Sequence, residues 1–301
     1  MAVLPRREVV ARVVAGLGLS LALGCMLAAS PRAALAQDWL ISVLDGEAVV
    51  MEGTRRVAAA AGQRLEPGAI IETSGKTLIL RLEGGDQSTY DLGPDTRAML
   101  APPGFAARND RPPQVYLMQG WLKGTARGSR EAAGILTPAL EVMPFKGAVV
   151  LQQQKREHAA FVESGRIDVM ERRVGQGLTA INAGEFYSGE GARRGTVVPR
   201  PAPAWAQTVP RPFRDPVPLR AQVFRDKRVE PGVLPGPTYA QLADWLTAEY
   251  TLRVQMPNRF APLLARDAAF KAEINAHIAA HPEWGPLLDR ENRAAQGNRR
   301  K

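Results

Sequence analysis

Several groups of residues have the types and spacing for chemistry. Ser74-Gly75-Lys76-Thr77 ends like a phosphate-binding loop, in which backbone amides and a lysine hold phosphate oxygens. The motif needs a glycine five residues before Gly75, where Ile70 stands, and it should open a helix, whereas Lys76 opens an alternating strand. Gly189-Glu-Gly191-Ala-Arg-Arg-Gly195 nearly copies a dinucleotide fingerprint, with one residue too many before its last glycine. Thr-Val-Val-Pro follows it where a helix should begin, so a strand exit is expected. Glu273, His277 and His281 are four apart and fall along one helix face, a geometry that could offer zinc two imidazoles and a carboxylate. Ile278 stands where a hydrolytic motif would carry its glutamate, and His158 lies in a distant strand. The expected role is a polar flank beside the Phe270, Ile274 and Ile278 stripe.

Paired carboxylates cleave glycans, and Glu163, Asp168 and Glu171 are the nearest clustered set. Arg166, Arg172 and Arg173 are interspersed with them, so cross-strand ion pairs are expected instead. Trp121, Trp245 and Trp284 could stack on sugar rings, but strand and helix tryptophans usually pack in cores. No G-x-S-x-G nucleophile turn occurs. Catalytic, cofactor and metal residues are therefore all expected to be absent, and the chain to be non-enzymatic.

The elements that carry these residues begin after a secretion signal. Arg6, Arg7 and Arg12 precede an apolar run from Val13 to Ala29, and Ala34-Leu35-Ala36 supplies a small-residue cleavage site. Residues 1–36 are expected to be a signal peptide cleaved after Ala36, which places the mature protein in the periplasm. Cys25 is the only cysteine and would leave with the signal, which excludes disulfides and thiolate sites. The signal takes four of the 39 basic residues and Glu8 of the 30 acidic ones, leaving 35 and 29, a net of +6. That excess is dispersed except at Arg290, Arg293, Arg299, Arg300 and Lys301. This tail, 290–301, is expected to be disordered and could touch a cell-wall glycan or an anionic membrane surface. Nucleic acid is not an expected partner of an exported chain.

From Trp39 to Gly195 the pattern is one of short strands. Leu78, Leu80 and Leu82 alternate with Thr77, Ile79, Arg81 and Glu83, which predicts one face on a core. Gly84-Gly85 predicts a two-residue hairpin turn, and Asp45-Gly46 another. Gln119-Gly120, Glu163-Ser164-Gly165 and Asn182-Ala183-Gly184 read as further turns between paired strands. Turn signals every 8–12 residues predict an antiparallel β-sandwich or rolled sheet of short hairpins.

Several phrases in order resemble the FecR-like domain: LEPGAIIETSGKTLILRLEGGDQSTYDLGPDTRAML, VYLMQGWLKG, ILTPALEV, AFVESGRIDVMER and INAGEFYSG. They cover about residues 40–190, and Gly147 falls where that family tends to place a glycine ahead of the ESG phrase. The resemblance implies the fold and an extracytoplasmic sensing or interaction role. Regulators of this family carry a cytoplasmic anti-sigma segment before a membrane helix. Here twelve residues precede the apolar run, so sigma-factor regulation is not carried over.

Pro199 to Pro218 holds seven prolines, which predicts an extended, semi-rigid spacer. Thr238 and Gln241 form a capping box ahead of Leu242, Leu246 and Tyr250 at helical spacing. A second helix is expected over roughly 266–281, stopped by Pro282. The expected organisation is a FecR-like β domain at 37–195, a proline-rich linker at 196–237, a helical C-terminal unit at 238–289, and the tail. The expected function is binding or sensing in the periplasm through an envelope protein partner, with a peptidoglycan or carbohydrate binder, weakly lytic at most, as the alternative.

Overall fold

The computed structural model describes residues 39–298 apart from 86, 109–110, 128–130 and 175–176, so the expected signal at 1–36 lies outside the described residues. The strands are β1 (Trp39–Asp45), β2 (Ala48–Glu52), β3 (Arg55–Ala58), β4 (Arg64–Leu65), β5 (Ile70–Thr73), β6 (Ile79–Glu83), β7 (Ser88–Leu92) and β8 (Arg97–Leu100). They continue with β9 (Val115–Ala126), β10 (Ile135–Leu136), β11 (Leu140–Val142), β12 (Lys146–Gln153), β13 (Glu157–Glu171), β14 (Leu178–Asn182), β15 (Phe186–Glu190) and β16 (Thr196–Val198). Helices follow: α1 (Pro203–Thr208), α2 (Tyr239–Leu246), α3 (Tyr250–Arg253), α4 (Met256–Arg266), α5 (Ala268–Ala276) and α6 (Gly285–Asn298).

The pairings define two sheets that share two long strands. One runs β3-β2-β5-β8-β9-β10-β11-β13-β14, and the other runs β4-β1-β6-β7-β9-β12-β13-β15-β16. The mainly β, antiparallel sandwich expected from the alternation is what forms; β10 beside β9 is the one parallel pairing described.

The shared strands correct two predicted turns. Val115–Gln119 of β9 pairs with β8, whereas Gly120–Ala126 pairs with β7 and β12. Gly120 (φ +98°) is the bend that carries one strand from sheet to sheet, since a Cβ there would lie 2.5 Å from Thr96 Cα. In the same way β13 passes through Gly165 (φ +79°), which faces Gly147 (φ +106°) across the ladder. Glu163-Ser164-Gly165 is therefore a bulge inside a 15-residue strand, and not a hairpin.

Other predicted turns join strands that do not pair with each other. β1 pairs with β4 and β6 while β2 pairs with β3 and β5, so Asp45-Gly46 is a corner between sheets. β14 and β15 both pair with β13, on its two halves, so Asn182-Ala183-Gly184 is also a corner. The Gly84-Gly85 hairpin does form between β6 and β7, and among its described residues Gln87 is left-handed (φ 67°).

Period-two alternation sends side chains to three apolar clusters. Val50, Ile71, Ala98, Leu117 and Ile135 of the first sheet meet Leu80, Leu82, Tyr90, Leu122 and Leu151 of the second in the central core. Their neighbours Met51, Ile70, Met99, Tyr116 and Leu136 point the other way, against Leu242, Trp245, Leu246, Phe260 and Trp284 of the helices. On the outer face of the second sheet, Trp121 and Val150 pack with Phe213 and Trp205 from the proline-rich stretch. This is why all of Ile79–Glu83 is buried, polar residues included, while Leu78, expected in the core, is 53% exposed.

The proline-rich stretch, expected to be an extended spacer, instead forms α1 and short turns at Arg211–Phe213 and Ala221–Phe224 and straps the second sheet. Its first residues add β16 to β15. Phe213 is fully buried, and the Glu83 carboxylate accepts from the amides of Arg220 (2.7 Å) and Ala221 (3.0 Å). Farther on, Val233 bridges to Val57, with Ala58 N donating to Gly232 O at 2.9 Å, which covers part of the β3 edge.

The Thr238–Gln241 capping box forms and starts α2. The second predicted helix stops earlier than expected, at Ala276, and a single tight turn over Ile278–Ala280 follows. α6 continues to Asn298, through most of the expected disordered tail; residues 299–301 lie outside the described part. Arg259 of α4 donates to the carbonyls of Gly53 (3.2 Å), Gly68 (2.6 Å) and Met51 (2.7 Å), fastening the helices to the first sheet.

Candidate binding groove

The fold uses most of the residues that suggested chemistry. In the Ser74–Thr77 turn, Ser74 N donates to Thr77 Oγ1 (3.1 Å) and Lys76 N to Ser74 Oγ (3.2 Å). Two amides that a phosphate would need are already satisfied, and β6 follows in place of a helix. Gly189 and Gly195 flank the short connection of β15 to β16, and a Cβ on Gly189 would strike the His158 ring.

Glu273 and His277 stay together, with Nδ1 3.4 Å from the carboxylate, but α5 ends at Ala276 and His281 does not continue their helix face. His277 stacks on Tyr239 with ring centroids 5.1 Å apart, and its Nδ1 lies 3.0 Å from the Glu273 carbonyl. His281 is fully buried, with Nε2 3.1 Å from the Tyr239 hydroxyl, and burial holds its pKa below the usual imidazole value. His158 is 4% exposed, and burial lowers its pKa as well.

The carboxylates are pulled apart, and none makes the cross-strand pair with Arg166, Arg172 or Arg173 expected of it. Glu163 pairs with Lys123 of β9 (2.6 Å), and Asp168 pairs along its own strand with Arg166 (3.1 Å). Glu171 accepts from the Tyr187 hydroxyl and from Gly195 N. Arg172 leaves the strand altogether and makes a two-pronged pair with Glu249, at the start of α3. Trp121, Trp245 and Trp284 are 9%, 0% and 0% exposed, so none offers a face for a sugar ring.

A groove of about 750 Å³ lies open between the β3–β4 region and residues 225–231 of the strap. Arg55, Arg64, Arg225, Lys227 and Arg228 line it together with Glu52, Asp226 and Glu230, five cations against three carboxylates. Its wall depends on Gly62 (φ +94°), where an added Cβ would lie 2.7 Å from both Phe224 Cδ1 and Val229 Cγ2. The strap can lie close to the sheet only because that position has no side chain.

Arg81, Arg97, Arg108, Arg172 and Arg253 each pair with a carboxylate elsewhere in the fold. Among the described residues, Arg55, Arg64, Arg225 and Arg228 pair with none, and all four are exposed. An unpaired guanidinium presents a planar fork of donors that fits carboxylate or phosphate oxygens. Val223 (49% exposed) and Val233 (70%) add apolar surface on the same strap. Sequence reasoning missed this site, because its halves are more than 150 residues apart; the one signal was the charge run Arg225-Asp-Lys-Arg228 in a stretch read as spacer.

No family model matches the chain, and no curated protein does. Two solved crystal structures of a candidate anti-sigma factor from Parabacteroides distasonis ATCC 8503 are similar to it. Each is 13% identical over 43% of this chain, with a TM-score of 0.33. The match spans 57% of the length of those chains.

Proposed function

We propose that this protein is an exported, non-enzymatic binding module that works in the periplasm by engaging an envelope protein through the basic groove. One observation carries the reading: four guanidiniums without a carboxylate partner among the described residues line one open groove. Exposed charges of one sign steer an oppositely charged partner and fix its register. The three carboxylates among them favour a protein surface of mixed charge over a uniform polyanion.

Two experiments test it. Osmotic shock should release the mature protein with Gln37 at its amino terminus. The tagged full chain should then capture a defined protein from envelope extract, and an Arg55→Glu, Arg64→Glu, Arg225→Glu, Arg228→Glu variant should not. Equal capture by both proteins rules out the groove, and recovery of the protein in the cytosol rules out the compartment.

A further inference from the structure

A second concavity has a different composition. It measures about 530 Å³ and lies where the sheets meet the helices, between β9 and the residues after β13 on one side and the α2–α3 junction on the other. Its size is within the range of small-molecule sites, which favour junctions of this kind. Tyr116, Met118, Pro138 and Ala248 supply an apolar lining. Tyr116 is 1% exposed, and burial, with Glu249 beside it, raises its pKa and keeps the hydroxyl a donor at neutral pH.

The charges at this cleft sort into used and unused. Glu249 is held by Arg172, and Arg172 also donates to Thr137 O (2.8 Å) and lies 5.3 Å from the Phe105 ring centroid. Asp244 is held by Arg97. Both carboxylates in the lining are thus neutralised within the fold. Lys155 and Arg173 remain, both exposed and neither in an ion pair among the described residues. The cleft therefore joins an apolar lining to an uncompensated positive pair.

From this arrangement we propose that the cleft binds a single-chain amphiphile with a carboxylate head, its apolar body against Tyr116, Met118, Pro138 and Ala248 and its head between Lys155 and Arg173. Such a ligand bridges the β13 end of the sheets and the α2–α3 junction, beside the Arg172–Glu249 tie. Its occupancy is therefore expected to hold the helices more firmly on the first sheet. This site is separate from the basic groove, and the groove reading stands or falls without it.

The test uses the full chain and three probes below their micelle-forming concentrations: dodecanoate, dodecanol and dodecyltrimethylammonium. Trp245 is a built-in reporter, 6.5 Å from Tyr116 between ring centroids. Dodecanoate should change the tryptophan fluorescence saturably and raise the melting temperature, and dodecanol should bind about tenfold more weakly for want of its charged head. Lys155→Glu with Arg173→Glu should abolish the preference for dodecanoate; both side chains are exposed and unpaired, so an unchanged circular-dichroism spectrum is expected. An Ala248→Trp variant should block all three probes. Equal binding of the three probes, undiminished dodecanoate binding by the charge-reversed protein, or no saturable change at all would each overturn the proposal.

Discussion

Arg81 and Asp91 stand directly opposite each other on β6 and β7 and make a two-pronged ion pair, with both nitrogen–oxygen distances 2.6 Å. Their side chains are 3% and 1% exposed. Arg81 also donates to the Val217 carbonyl of the strap, so one guanidinium serves the sheet and its cover together. Replacing Arg81 by Met leaves the Asp91 carboxylate buried without its partner, and such breaks cost about 3–5 kcal/mol. Replacing Asp91 by Leu strands the guanidinium and should cost a similar amount. The double variant buries neither charge. Its residual cost is the orphaned Val217 carbonyl, about 1–3 kcal/mol, lowered to the extent that the strap turns it to water. Urea unfolding of the full chain, with the m-value unchanged, would measure all three. Trypsin reports the strap separately, since Arg214, Arg220 and Arg225 lie within it. Both single variants should be cut there sooner than the native protein. A loss under about 1 kcal/mol for either single variant, or a double variant as costly as the sum of the two, would refute the reasoning.

Other positions test the same architecture. Gly62→Ala should push Phe224 and Val229 off the sheet, cost about 1–3 kcal/mol and speed cleavage at Arg225 to Arg228; unchanged cleavage would mean the strap is not held at this point. Burial lowers the pKa of both His158 and His281 below the usual imidazole value, so as the pH falls through about 6.5 the unfolded chain binds more protons than the folded one. Stability should therefore be full above pH 6.5 and fall as the pH drops, by at most about 1.4 kcal/mol per unit for each histidine, and a flat profile in urea melts would contradict this. Arg259→Met should loosen the helices from the first sheet, seen as faster hydrogen exchange in α4 and α5 with β9 and β12 unaffected.

The fold was legible wherever one residue's neighbours decide its direction. The alternation that sets Leu80 and Leu82 on one face places both in the central core, and the Thr238–Gln241 capping box marks the start of α2. Direction along a strand was harder to read. Gly120 and Gly165 adopt positive φ, as turn glycines do, but each bends one strand between two sheets, and only the pairing partners distinguish the cases. Composition read the proline-rich stretch as an extended spacer, whereas it holds α1 and tight turns at Arg211–Phe213 and Ala221–Phe224, and nothing in it signalled that Arg81 and Glu83, more than 130 residues earlier, would hold it down. The basic groove was illegible for the same reason, being assembled from Arg55 and Arg64 on one side and Arg225 to Arg228 on the other.

The proposed function places partner binding on the guanidiniums of the basic groove. It is tested most directly by the affinity of the full chain for its captured envelope partner as a function of salt and of charge at Arg225 and Arg228. The account predicts that binding weakens steeply as salt rises, and that Arg225→Glu with Arg228→Glu weakens it at least about tenfold at low salt while leaving the melting temperature unchanged. An affinity indifferent to both salt and charge reversal would contradict it.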